Sequence, residues 1–187
     1  MTDDPQLIAG WQPFFTVTGG AAAALAGLLF VALSIHARDI ADHPAFRYRA
    51  LATLSIPLVV LVVSALALVP RQTGSSLGLE ELVPLLLQIC GVLAWLRRAR
   101  AAAKMARSYE LRSAIGLTLV VLAIFGCALL FVGFEIGLAI VGAFCLISLV
   151  WMAFNSWALL FAIAAAETVE VEALQAVEPA GPAATTP

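Results

Sequence analysis

Four side chains able to ligate a metal, His36, Asp39, Asp42 and His43, fall within eight consecutive positions of this chain. Imidazole and carboxylate together suit zinc or a harder divalent ion, but structural zinc sites lean on cysteine and regular ligand spacing. No cysteine stands near these residues, and Asp42-His43-Pro44 has the composition of a turn. A metal is therefore not expected there. Three other groups carry the remaining chemistry. Glu80, Glu81 and Glu135 are carboxylates at the borders of apolar runs, placed to repeat around an acidic outer mouth if several copies enclosed a pore. Ser34, His36 and Asn155, with Arg47 and Arg49 nearby, make a candidate inner polar cluster. At 1.5 Å per residue His36 lies about 33 Å along the helix from Phe14, and Asn155 reaches a similar level counted from Ile136. The same residues also suit an interfacial hydrogen-bonding layer, with Tyr48 and Trp157 as aromatic belt anchors. Arg97, Arg100, Lys104 and Arg107 follow helical spacing and form one basic stripe. Such a stripe attracts anionic headgroups or an acidic partner, and it is equally what membrane topology alone requires.

None of these groups forms a catalytic signature. The chain has no GxSxG, HExxH or phosphate-binding glycine loop and no paired intramembrane aspartates, and its loops are too short to build a soluble active site. No enzymatic activity, cofactor or nucleic-acid partner is expected. Cys90, Cys127 and Cys145 all lie in apolar stretches without CxxC spacing and read as small packing residues.

The elements that must position these groups are membrane helices. Of 187 residues, 63% are hydrophobic and only 12% charged, against about 25% charged in soluble domains. Stretches of about 20 apolar residues cross a hydrocarbon core roughly 30 Å thick. Five qualify, at about 13–36, 48–69, 77–98, 113–134 and 136–164. The third is the weakest, because only Leu82 to Leu96 is charge-free, so Glu80 and Glu81 are expected at the interface near its N-terminus. With no Gly or Pro from Val92 to Ile115, it should continue as a cytoplasmic extension to about 108. The expected fold class is all-α, a polytopic transmembrane bundle over residues 1–166 followed by an acidic, partly disordered tail over 167–187. The N-terminus lacks the basic segment of a cleavable signal peptide, so the first run should remain as a span.

Loop charge orients the bundle. Nine of the ten Lys and Arg residues fall in two intervals, Arg38 to Arg49 and Arg97 to Arg112. Basic loops beside spans are retained in the cytoplasm, so both intervals should face inward. The N-terminus is then outside and the tail, with Glu167, Glu170, Glu172 and Glu178, cytoplasmic, in a multi-pass membrane protein.

Two features within the spans invite packing arguments. Gly19, Ala23 and Gly27 repeat every four residues and let helix backbones approach closely, either within the chain or between copies of a homo-oligomer. Pro57 in the second span removes a backbone donor and will tend to kink it, with Thr53 and Ser55 nearby to satisfy freed groups. Gly133 and Gly137 flank Glu135, where tight-turn geometry explains them.

The opening Trp11-Gln12-Pro13-Phe14-Phe15, the small-residue run from Gly19 to Ile35, Arg49-Ala50-Leu51, Leu68-Val69-Pro70 and the closing Asn155 to Leu160 resemble a family of small bacterial integral membrane proteins. Its members are mostly uncharacterised and sometimes labelled modulators of a membrane-bound AAA protease. His36 stands where that family would carry Asn. The resemblance implies an interaction or regulatory subunit in the bilayer, with a membrane protein as possible partner, and transfers no catalytic residue. An oligomeric ion channel with the acidic outer mouth is the alternative.

Overall fold

The computed structural model describes Pro5–Asp42, Pro44–Ala102 and Arg107–Val177. These residues form six helices: α1 (Pro5–Ile35), α2 (Ala37–Asp42), α3 (Pro44–Ala67), α4 (Gly74–Ala102), α5 (Arg107–Val132) and α6 (Ile136–Val177). All but the short α2 contain a span long and apolar enough to cross a bilayer, so the protein is an all-α, multi-pass membrane protein. The end carrying Arg38, Arg49, Arg97 and Arg112 is the basic end, and the end carrying the α3–α4 and α5–α6 turns is the opposite end.

Helices α3, α4, α5 and α6 pack in sequence as a four-helix bundle closed by contact between α3 and α6. Helix α1 lies mainly on α3 and touches α6 at its start, where Trp11 and Phe14 cover Gly142. One core runs through the bundle, with Phe15, Val60, Val63, Leu77, Leu85, Leu130, Leu138 and Val141 fully enclosed. The lipid-facing side of every span is apolar as well, with Leu28, Leu87, Val132 and Val150 among many exposed large residues. That is the pattern of helices whose outer solvent is hydrocarbon.

The turns are built by local chemistry. Thr73 caps α4: its hydroxyl accepts from the Ser76 N–H (3.3 Å), and its own N–H donates to the Ser76 hydroxyl (3.1 Å). This cap starts α4 at Gly74, ahead of the expected position 77. Arg71 adopts the left-handed conformation (φ 62°) in the same turn, and Gly133 (φ 97°) reverses the chain between α5 and α6.

The expected extension of the third helix to about 108 is not found, because Arg107 already opens α5, six residues ahead of the expected 113, and further element boundaries differ from the sequence expectation for identifiable reasons. Helix α1 begins at Pro5 and passes through Pro13, because buried Ile8 and Trp11 dock the preceding turn on the bundle. Helix α4 likewise passes through Pro84, which lies ten residues inside and deprives the Glu80 carbonyl of its helical donor. Helix α6 does not stop near 164 but continues to Val177, across Ala, Glu, Leu and Gln residues of high helix propensity, with no proline before Pro179. Helix α3 is continuous through Pro57, and the Thr53 and Ser55 hydroxyls turn back to the carbonyls of Arg49 (2.9 Å) and Ala52 (2.8 Å).

Candidate functional site

Polar residues on the inward stripe of α4 organise the interior. Glu81, Leu85, Gln88, Val92 and Leu96 follow the 3–4 spacing of one helix face. Leu85 and Leu96 are buried in the core. The polar members meet partners on neighbouring helices. Gln88 donates to the Ser55 hydroxyl of α3 (3.0 Å), tying the two helices together midway along their spans. Seven residues nearer the opposite end, about 10 Å along the axis, stands Glu81.

Glu81 is 0% exposed. Its Oε2 accepts from the Cys127 thiol of α5 (3.4 Å), while Oε1 has no hydrogen-bond partner among the described residues. Gln72 Oε1 in the adjoining turn is likewise enclosed with no partner among the described residues, and Ser64 Oγ on α3 is enclosed too. Cys145 of α6 lies beside Ser64 and within electrostatic reach of Glu81. One carboxyl, two thiols and a hydroxyl, contributed by four different helices, thus face a common interior region. An ionisable side chain enclosed at membrane depth is costly and marks function more often than architecture. Metal chelation does not account for it: among the described residues no three His, Cys, Asp or Glu side chains are grouped to hold an ion.

The expected acidic trio is therefore divided. Glu80 and Glu135 are exposed at the opposite end, and Glu80 accepts from the Gln72 amide. Glu81, expected at the interface beside them, is inside the bundle. The sequence signal that points to this is the stripe itself. Glu81 and Gln88 fall on the same face as Leu77, Leu85 and Leu96, and that face must be the buried one.

At the basic end, α3, α4, α5 and α6 enclose a half-open cavity of about 80 Å³. Its walls are mostly apolar, with Val59, Val120 and Phe144 at depth, and its mouth holds Arg49, Arg112 and Asn155. The Arg112 guanidinium lies over the Phe154 ring, 5.2 Å from its centroid. Asn155 donates to the Trp151 carbonyl (2.8 Å), and both residues line the cavity.

The candidate inner cluster is also divided. Asn155 joins Arg49 at the cavity, whereas Ser34 is exposed and donates to the Phe30 carbonyl (2.8 Å). His36 is half-buried at the break between α1 and α2, its Nδ1 bonded to the Ala32 carbonyl (3.1 Å). The basic stripe is divided too: Arg97 is exposed on α4 with Arg100 beyond it, whereas Arg107 belongs to α5; the side chains of Arg100 and Arg107, and all of Lys104, lie outside the described residues, as do the side chains of Asp39 and Asp42 and all of His43. On α1, Gly19 meets α3 so closely that an added Cβ would stand 3.0 Å from the Ser64 Cβ, while Ala23 and Gly27 face outward.

Fold and site together define a polytopic helical membrane protein with a buried carboxyl in one half and an arginine-mouthed cavity in the other. Compared with known protein families, curated proteins and solved structures, the chain gives no match.

Proposed function

We propose that this protein works without catalysis, as an interaction or regulatory subunit of a bacterial inner membrane, and that it engages other membrane helices through the outer face of α1. The supporting observation is that face's smoothness. A Cβ added at Gly20 or Gly27 would meet nothing within 4 Å, and Ala23 and Ala24 between them are exposed. Helix pairs in lipid associate where small residues let backbones approach, because hydrocarbon supplies no hydrophobic drive. The first partner is a second copy of the chain; the resemblance to modulators of a membrane-bound protease adds a different membrane protein as a further kind. The basic end faces the cytoplasm and the N-terminus lies outside, on the distribution of Lys and Arg.

An oligomeric ion channel, the alternative, finds less support, since its acidic mouth would have to come from Glu80 and Glu135 with Glu81 inside the bundle.

Cross-linking through a cysteine at Ala24, in a background with Cys90 changed to Ala, tests the proposal. The parent is expected to give a covalent dimer in lipid nanodiscs, and Gly20→Leu with Gly27→Leu to reduce it about tenfold. A parent that remains monomeric, or a dimer indifferent to both leucines, would remove α1 as the contact.

A further inference from the structure

Glu81 stands in the bundle with nothing of opposite charge beside it. Among the described residues, the groups that act on it are the thiols of Cys127 on α5 and Cys145 on α6 and the carboxylate of Glu80, one residue back on α4, while α3 contributes the Ser64 hydroxyl. None is a cation, and a carboxylate enclosed alone costs far more than a neutral carboxyl. The surroundings are short of donors rather than acceptors. Glu81 Oε1 and Gln72 Oε1 are enclosed with no partner among the described residues, and Pro84 leaves the Glu80 carbonyl without its helical donor. An ionised carboxylate and an amide oxygen cannot satisfy each other, since both only accept. One proton on Glu81 turns Oε1 into a donor. Polar groups also connect this region to the surface. Glu80 is exposed, and its carboxylate accepts from the Gln72 amide. Glu81 itself lies seven residues along α4 from Gly74, about 10 Å from the helix start at the opposite end.

We propose that Glu81 is a proton-binding site that loads and unloads from the opposite end of the bundle, past Gln72 and Glu80. In the loaded state Cys127 donates to Oε2, and the proton sits on Oε1, directed through one water to the Gln72 amide oxygen. Unloading passes the proton to that water and on to the Glu80 carboxylate and bulk solvent. Only O–H bonds are made and broken, and no electron moves. A metal ion is a poorer occupant. Hard cations call for several oxygen ligands, whereas the Cys127 thiol here donates to the carboxyl instead of leaving room for an ion. The proton is the one cation that a single carboxyl can hold, and intramembrane carboxyls recur in proton relays for that reason.

Infrared spectroscopy of the full chain in lipid nanodiscs tests this, because the carbonyl stretch of a protonated carboxyl stands apart from those of carboxylates and amides. At neutral pH one such band is expected, missing from Glu81→Gln and moved in Glu81→Asp. Raising the pH should convert it to carboxylate absorption, and transfer to heavy water should shift it within minutes. Gln72→Leu should keep the band and slow that shift about tenfold, because the route loses its relay. Absence of a carboxyl band at neutral pH would overturn the proposal. So would a band that neither alkali nor heavy water alters, which would mark a proton fixed as part of the architecture. A band abolished by sodium at constant pH would assign the site to an alkali ion, and a shift rate unchanged in Gln72→Leu would remove the opposite end as the entry. The responses to pH and heavy water are read on the unaltered protein and stand even if a variant fails to fold.

Discussion

Replacing Gly137 by alanine is expected to lower the stability of the bundle by about 1–3 kcal/mol, the usual cost of forcing extra atoms into a packed interior. The new Cβ would stand 2.4 Å from the Gly126 carbonyl oxygen and 2.7 Å from the Leu130 nitrogen, both backbone atoms of α5. A backbone obstacle cannot rotate away, so α5 and α6 must separate. Gly78 makes the corresponding approach of α4 to α5, where an added Cβ would stand 2.6 Å from the Cys127 carbonyl oxygen, and alanine there should act alike. Reversible unfolding of the purified protein in mixed micelles measures both. Gly20→Ala, in open space on α1, is the control and should leave the midpoint unchanged. Because Gly126 and Gly137 form one contact, the double alanine variant should cost less than the sum of the two singles. A Gly137→Ala protein as stable as its parent would show that α5 and α6 do not approach this closely.

The second large effect concerns Glu81, and its sign is unusual. Glu81→Met, close in shape and apolar, is expected to raise stability by about 1–3 kcal/mol, because it removes a buried oxygen that has no partner among the described residues. Cys127→Ala with Glu81 intact should instead destabilise, since it strips the carboxyl of its donor as well as leaving a small void. Combining the two gives a thermodynamic cycle, for which interhelical hydrogen bonds in membranes set a coupling of about 0.6 kcal/mol. A carboxyl kept at a cost to stability is one retained for what it does. If Glu81→Met unfolds the protein more easily, Glu81 is part of the architecture and that inference fails.

The helices and their membrane character were legible because apolar runs of span length leave a bundle as the one way to satisfy the backbone. Their ends were less so. Pro13 and Pro84 carry the usual signature of a helix start, yet both lie inside helices, where packing by Ile8 and Trp11 and the Thr73 cap outweigh one lost hydrogen bond. Glu81 was missed for a related reason. Only Leu82 to Leu96 is charge-free, which put Glu80 and Glu81 at the interface near the N-terminus of the 77–98 span, whereas following one face through Leu77, Glu81, Leu85 and Gln88 carries Glu81 into the core. The glycines show the limit of spacing alone. Gly133 and Gly137 look equivalent beside Glu135, but Gly133 serves the turn with a positive φ and Gly137 serves contact with Gly126, a partner visible only once α5 is folded back. The cavity could not be read at all, since it joins residues of four helices whose relative rotation no single segment encodes.

The uninterrupted course of α6 has a mechanical consequence. Its 42 residues make a rod of about 63 Å, of which the part beyond Phe161 extends about 24 Å past the span. The same rod carries Phe144, Ser148, Trp151 and Asn155 along the cavity wall. A change of about 5° in its tilt, pivoting where it leaves the bundle, would move Val177 by about 2 Å, given the helical rise. The same tilt would move Asn155, six residues inside Phe161, by about 1 Å and Phe144, deeper in the cavity wall, by about 2 Å in the opposite sense, which makes α6 a lever that couples the cavity wall to its acidic end, with its fulcrum at the membrane surface.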